Sequence, residues 1–89
     1  MRVACLWFDQ PIPTNKIAEL FLRFSPQICT RTDRAIFVEI GKCKSLYSED
    51  SFIARATIML RKRNLSTKIG VGNDLLEALT LAIFNRHSM

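Results

Sequence analysis

Alternating β-rich and amphipathic segments predict an α+β fold, and three observations carry that prediction. A continuous apolar run from Val3 to Phe8 opens the chain; three apolar stripes at helical spacing follow it; and Pro, Gly and Asp-Arg breaks separate the segments. Read in order, they give strand, helix, strand, strand, helix, strand and a final helix.

The run Val3 to Phe8 contains neither Gly nor Pro, as expected of a central strand covered on at least one face. Asp9-Gln10-Pro11-Ile12-Pro13 ends it, because two prolines remove ladder donors and fix the turn. Thr14 reads as an N-cap. Ile17, Leu20, Phe21 and Phe24 then fall at i, i+3, i+4 and i+7, one buried stripe of a helix that Pro26 terminates. Gln27–Thr32 and Ala35–Ile40 are β-rich and meet at Asp33-Arg34, a tight hairpin.

Gly41 to Tyr47 reads as a turn. Ser48, Glu49 and Asp50 start a second helix, with a cap and negative charge at the positive end of the macrodipole. Phe52, Ile53, Ala56, Met59 and Leu60 form its buried stripe, and Arg61-Lys62-Arg63 closes it. Thr67 to Val71 is a short strand. Asp74-Leu75-Leu76-Glu77 is a capping-box pattern, opening a helix that turns Leu75, Leu76, Leu79, Ala82 and Ile83 inward.

Right-handed crossovers convert this βαββαβ order into a four-stranded antiparallel sheet with two helices on one face. The expected fold is therefore a ferredoxin-like two-layer sandwich with an extra C-terminal helix, its first and third strands adjacent at the centre. The 89 residues suffice for one such domain, spanning 1–89. Six Phe, one Trp and 48% hydrophobic residues supply its core.

Thirteen Lys and Arg against eight Asp and Glu give a formal charge of +5, a balance that suits contact with phosphate and equally suits simple solubility. Cys5, Cys29 and Cys43 are widely spaced, no C-x-x-C pair occurs, and His87 is the single histidine. Structural zinc needs four converging ligands, so these read as reduced thiols and no metal or other cofactor is expected. The apolar opening run is too short for a signal peptide or membrane span, which points to a soluble cytoplasmic protein.

Three segments carry a family resemblance. Arg2-Val3-Ala4-Cys5-Leu6-Trp7-Phe8, then Phe37-Val38-Glu39-Ile40-Gly41-Lys42-Cys43-Lys44-Ser45-Leu46-Tyr47, then Lys68-Ile69-Gly70-Val71-Gly72 before an Ala- and Leu-rich helix are similar to the palm of Y-family DNA polymerases. Within that family they resemble the catalytically defective ImuB-like branch. The resemblance covers most of the chain as a pattern, without one strong motif.

Where active members begin with D-x-D, Trp7 stands in place of the first metal-binding Asp and only Asp9 remains. Where their hairpin supplies two adjacent acids, Asp33 is followed by Arg34. A pair of Mg²⁺ ions needs several converging carboxylates, and an arginine beside them repels the metals. The fingers inserted after the first strand in the family are replaced by Gln10 to Pro13, and thumb and little-finger domains are missing from the pattern. Ile83 stands where the family's last palm helix has a basic residue near the nucleotide phosphates.

The resemblance therefore implies a noncatalytic, DNA-associated accessory module of damage response or translesion replication. It also implies partners such as a RecA-like protein, a sliding clamp or an active polymerase, although no clamp-binding motif is visible. The alternative is a small self-associating interaction domain that never meets nucleic acid. A third reading keeps residual metal-dependent chemistry at Asp9, Asp33 and Glu39.

The residues expected to touch phosphates are Lys42, Lys44, Arg61, Lys62, Arg63 and Lys68, supported by Lys16, Arg31 and Arg34. Their bland counterpart is a solvated surface that stabilises helix ends. Strand alternation places Val3, Cys5, Trp7 and Asp9 on one face, with Phe37 beside them on the neighbouring strand. If that face is open, Trp7 and Phe37 form a platform for unpaired bases or the contact of a homodimer. The competing reading buries the pair, under the third helix or a second copy. Gly70-Val71-Gly72 lacks the third glycine and the lysine of phosphate loops and reads as a strand-to-helix turn.

Overall fold

The computed structural model describes residues 2–22, 27–41 and 48–84, with the Arg31 side chain outside that description. Its elements run β1 (Val3–Phe8), α1 (Thr14–Glu19), β2 (Ile28–Thr32), β3 (Ala35–Glu39), α2 (Glu49–Arg61), β4 (Thr67–Gly72) and α3 (Leu75–Phe84). The four strands form one sheet in the order β2-β3-β1-β4, every pair antiparallel. This is the expected ferredoxin-like βαββαβ arrangement, with β1 and β3 at the centre.

Register explains how the sheet buries two faces. Leu6 lies between Ile36 and Ile69, and Ala4 between Val38 and Val71. These residues share a core with Ile17, Ala18 and Phe21 from the α1 side and Phe52, Ala56 and Leu60 from α2. The Phe21 and Phe52 rings meet at 6.2 Å between centroids, tilted by 49°, which packs the turn after α1 against α2. On the opposite face Val3, Cys5, Ala35 and Phe37 pack with Ala78 and Ala82 of α3. The extra helix therefore lies over the face that two-layer packing leaves bare.

Several local expectations are corrected. Pro13, not Thr14, occupies the N-cap position of α1; no side chain caps it, and its carbonyl accepts the amides of Lys16 and Ile17. The helix stops at Glu19 and turns through Leu22, so it is shorter than the apolar stripe suggests; Phe24 and Pro26 fall outside the described residues. The Asp33-Arg34 hairpin forms, with a shift of register between Thr30 and Thr32 that leaves Arg31 as a bulge. The expected turn at 42–47 lies outside the described residues.

Ser48 caps α2 as expected, its hydroxyl accepting the Ser51 amide at 3.1 Å. The other end of α2 is closed by Asn64, the one described non-glycine residue with positive φ, at 58°. Leu65 N–H donates to Leu60 O and Asn64 N–H to Arg61 O, both at 3.0 Å. This paired 6→1 and 5→2 closure satisfies carbonyls that a helix end otherwise orphans. In α3 the inward residues are Ala78 and Ala82, with Leu75 and Leu79 partly buried beside them. Leu76, expected inside, is 73% exposed.

Candidate nucleic-acid interface

The topology gathers basic side chains at one end of the sheet. β1 finishes there, β4 begins there, the β2–β3 hairpin turns there and α2 ends there. Arg61, Lys62 and Arg63 are exposed at the close of α2, three residues before β4. Arg34 is exposed in the hairpin and donates from Nη1 to the Asp9 carbonyl at 3.1 Å. Lys68 lies opposite Trp7 on the edge strand β4 and pairs with Asp9 at 3.8 Å. Lys16 is exposed in the first turn of α1.

Six described cations thus share this end with two carboxylates, Asp9 and Asp33. A cleft of about 210 Å³ opens between the segment Phe8 to Ile12 and Asn64 to Ser66, next along the chain from Arg63. Phosphate recognition needs mobile cations around a concave or flat surface and requires no deep pocket. Lys42 and Lys44, the remaining predicted contacts, fall outside the described residues.

The opposite end is clamped internally. Arg2 holds Glu49 through both carboxylate oxygens, Nε to Oε2 at 2.8 Å and Nη2 to Oε1 at 3.1 Å, and donates from Nη1 to Asn73 Oδ1 at 2.8 Å. The hydrogen bond to Glu49 raises the Arg2 pKa further above its ordinary value. One guanidinium thereby ties the start of β1 to the start of α2 and to the β4–α3 turn.

The sheet face expected to be open is covered over β1 and β4 by α3. Phe37 is 5% exposed beneath α3, and Trp7 is half-buried beside the same cluster. The Phe37 ring has no exposed surface for base stacking; α3 occupies the face over β1 and β4, and a cleft of about 280 Å³ lies beside it along Ile28, Cys29, Phe37 and Leu75. Burial under the third helix is the outcome for Phe37, and Trp7 is buried only in part.

Gly70 and Gly72 have a different purpose from a turn. Both lie within β4, not after it, and a Cβ on Gly70 would strike the Ala82 amide nitrogen and approach Ala78 O at 2.6 Å. On Gly72 it would approach Ala78 N at 2.7 Å. The glycines let the helix backbone settle on the strand, and Ala78 and Ala82 are the matching small residues of the helix.

The three acids of the residual-chemistry reading are not brought together. Glu39 pairs in register with Val3, whereas Asp9 lies six residues further along the same strand direction, roughly 20 Å at ~3.3 Å per residue. Glu39 is buried and accepts the Gly41 amide at 2.6 Å. Among the described residues, no group of three or more His, Cys, Asp or Glu is arranged to hold a metal ion. Cys5 lies in the interior, and burial pushes its thiol up to about 12, so it stays protonated at neutral pH. No helix of the described residues is long and apolar enough to cross a membrane.

Fold and site together define a ferredoxin-like domain with a basic end and a helix-capped second face. No protein-family model, curated protein or solved structure matches this chain.

Proposed function

We propose that this chain is a noncatalytic DNA-associated module, a palm-type domain without fingers, that meets the phosphate backbone with its basic end. The observation that supports this most is the gathering of Arg34, Arg61, Lys62, Arg63 and Lys68 at one end of the sheet from three separate parts of the sequence. Trp7 and Arg34 stand where the resemblance requires carboxylates, which favours binding without nucleotidyl transfer. Because Phe37 is buried, recognition runs through phosphates and not through stacked bases, and it is independent of DNA sequence. A role in damage response or translesion replication, alongside a RecA-like protein, a sliding clamp or an active polymerase, rests on the resemblance alone.

Fluorescence anisotropy with short single- and double-stranded DNA over a range of salt tests the reading. Binding should weaken as salt rises, and the Arg61→Ala, Lys62→Ala, Arg63→Ala triple variant should flatten the log–log salt slope by about one unit per lost phosphate contact. Equal affinity and equal slope for the triple variant, with its fold intact, would sink the proposal.

A second reading, a self-associating interaction domain with no affinity for nucleic acid, is favoured by one feature. Leu76 and Phe84 are 73% and 74% exposed on the outer side of α3.

A further inference from the structure

We infer that Arg34 and Lys68 form the seat of one backbone phosphate, and that the Asp9 carboxylate holds that seat until nucleic acid displaces it. The inference deepens the DNA-binding reading and rests on it. Strand order builds the seat. β1 lies between β3 and β4, and Ala35, Trp7 and Lys68 stand in line across the three strands. At ~4.8 Å between neighbouring strands, β3 and β4 run about 10 Å apart there. β1 ends between them at Phe8, one residue before Asp9. Two long cationic side chains, one from each side, therefore reach over the end of β1, and both meet Asp9.

The two cations meet different atoms of that residue. Arg34 donates from Nη1 to the Asp9 carbonyl at 3.1 Å, whereas Lys68 Nζ stands 3.8 Å from Asp9 Oδ1. The first contact is fixed by the backbone: Phe8 N–H donates to Arg34 O and Ile12 N–H to Asp33 O, both at 2.8 Å, so the hairpin is tied to the chain on either side of Asp9. The second is loose, too long for a good hydrogen bond, and the Asp9 side chain is 61% exposed. The carboxylate can thus swing away while Arg34 stays aimed. The other N–H groups of its guanidinium fork, with the Lys68 ammonium, then take a phosphate oxygen pair of the kind both groups recognise. An exposed ion pair is weak, and DNA brings several phosphates to this end at once and releases its counterions, so the exchange favours the nucleic acid.

Asp9 therefore lowers affinity through Lys68 in particular, and not only through its charge. Asp33 supplies the comparison: it carries the same charge beside Arg34 and makes no ion pair among the described residues. Fluorescence anisotropy with a short double-stranded oligonucleotide reads the difference. Asp9→Asn should tighten binding about fivefold and steepen the log–log salt slope by up to about one unit. Asp33→Asn should tighten it by no more than about twofold. In a Lys68→Ala background the gain from Asp9→Asn should shrink to that of Asp33→Asn, because no ammonium is left to release. The thermal midpoint should be the same for all these variants, since the pair is exposed and Arg34 keeps its carbonyl partner.

Binding by the parent chain that Asp9→Asn leaves unchanged or weakens overturns the inference and leaves the DNA-binding reading standing. So does a gain from Asp9→Asn that persists in full with Lys68→Ala, or one that Asp33→Asn equals, because the effect is then the general field of the basic end. Absence of binding by the parent and by Asp9→Asn alike overturns the inference and the reading together. Binding that appears only with Asp9→Asn, and is lost again with Lys68→Ala, supports the inference in its strongest form.

Discussion

Gly70 and Gly72 show how a single residue type is chosen for space and not for backbone freedom. No described glycine has positive φ, so neither position needs glycine for its conformation. What they lack is a Cβ, and that absence lets α3 approach β4 closely enough for Ala78 and Ala82 to seal the face. Gly70→Ala would drive its methyl into the helix backbone at Ala82 and Ala78, which cannot yield as a flexible side chain does. We expect it to cost about 3 kcal/mol, at the upper end of overpacking effects, read as a lowered midpoint in urea unfolding. A variant as stable as the parent would mean that α3 does not rest on β4 as described. At the same scale, Leu76 illustrates a limit of pattern reading. In an almost wholly apolar helix the burial stripe cannot be identified from hydrophobicity, and small alanines win the inward positions because the glycines demand close contact.

The ends of elements were readable where a side chain supplies the missing hydrogen bond. Ser48 caps α2, and the Asp74–Glu77 box forms at α3: Asp74 Oδ1 accepts the Glu77 amide and Glu77 Oε1 accepts the Asn73 amide, each at 2.7 Å. Asp74→Ala should therefore cost about 1 kcal/mol, seen as a lower thermal midpoint. If the midpoint does not move, the box contributes nothing that solvent does not replace. The Thr14 cap failed because Pro13 already provides a carbonyl and a suitable turn, so the hydroxyl has no cap to make. For Asn64 the sequence signal is an asparagine just after a Lys/Arg-rich helix end. The α1 boundary was illegible for a related reason: Phe21 is buried from a turn following the helix, which a periodic pattern cannot distinguish from one more helical residue.

For the whole molecule, α3 decides what the second sheet face does. Val3, Cys5, Ala35 and Phe37 on that face are covered only when the helix folds back over β1 and β4. A chain ending at Gly72 should expose them, forfeiting on the order of 5 kcal/mol at ~1.5–3 kcal/mol per large apolar side chain, comparable to the stability of a small domain. We expect that truncated chain to bind a hydrophobic dye and to lose cooperative thermal unfolding. A cooperative transition in the truncated chain would show α3 to be an appendage. The basic end, by contrast, depends on strand order: residues 34, 61–63 and 68 converge because β1 lies between β3 and β4. The alternation of apolar runs, turns and capped stripes was enough to determine the βαββαβ order and the central position of β1 and β3, because local periodicity and crossover handedness leave few other arrangements. Which side of α3 faces inward, the burial of Phe37, and the wide separation of Asp9 from Glu39 were decided only by tertiary packing. Those depend on how closely two backbones can approach and on where strands come into register, and neither distance is encoded in the local pattern of any one segment.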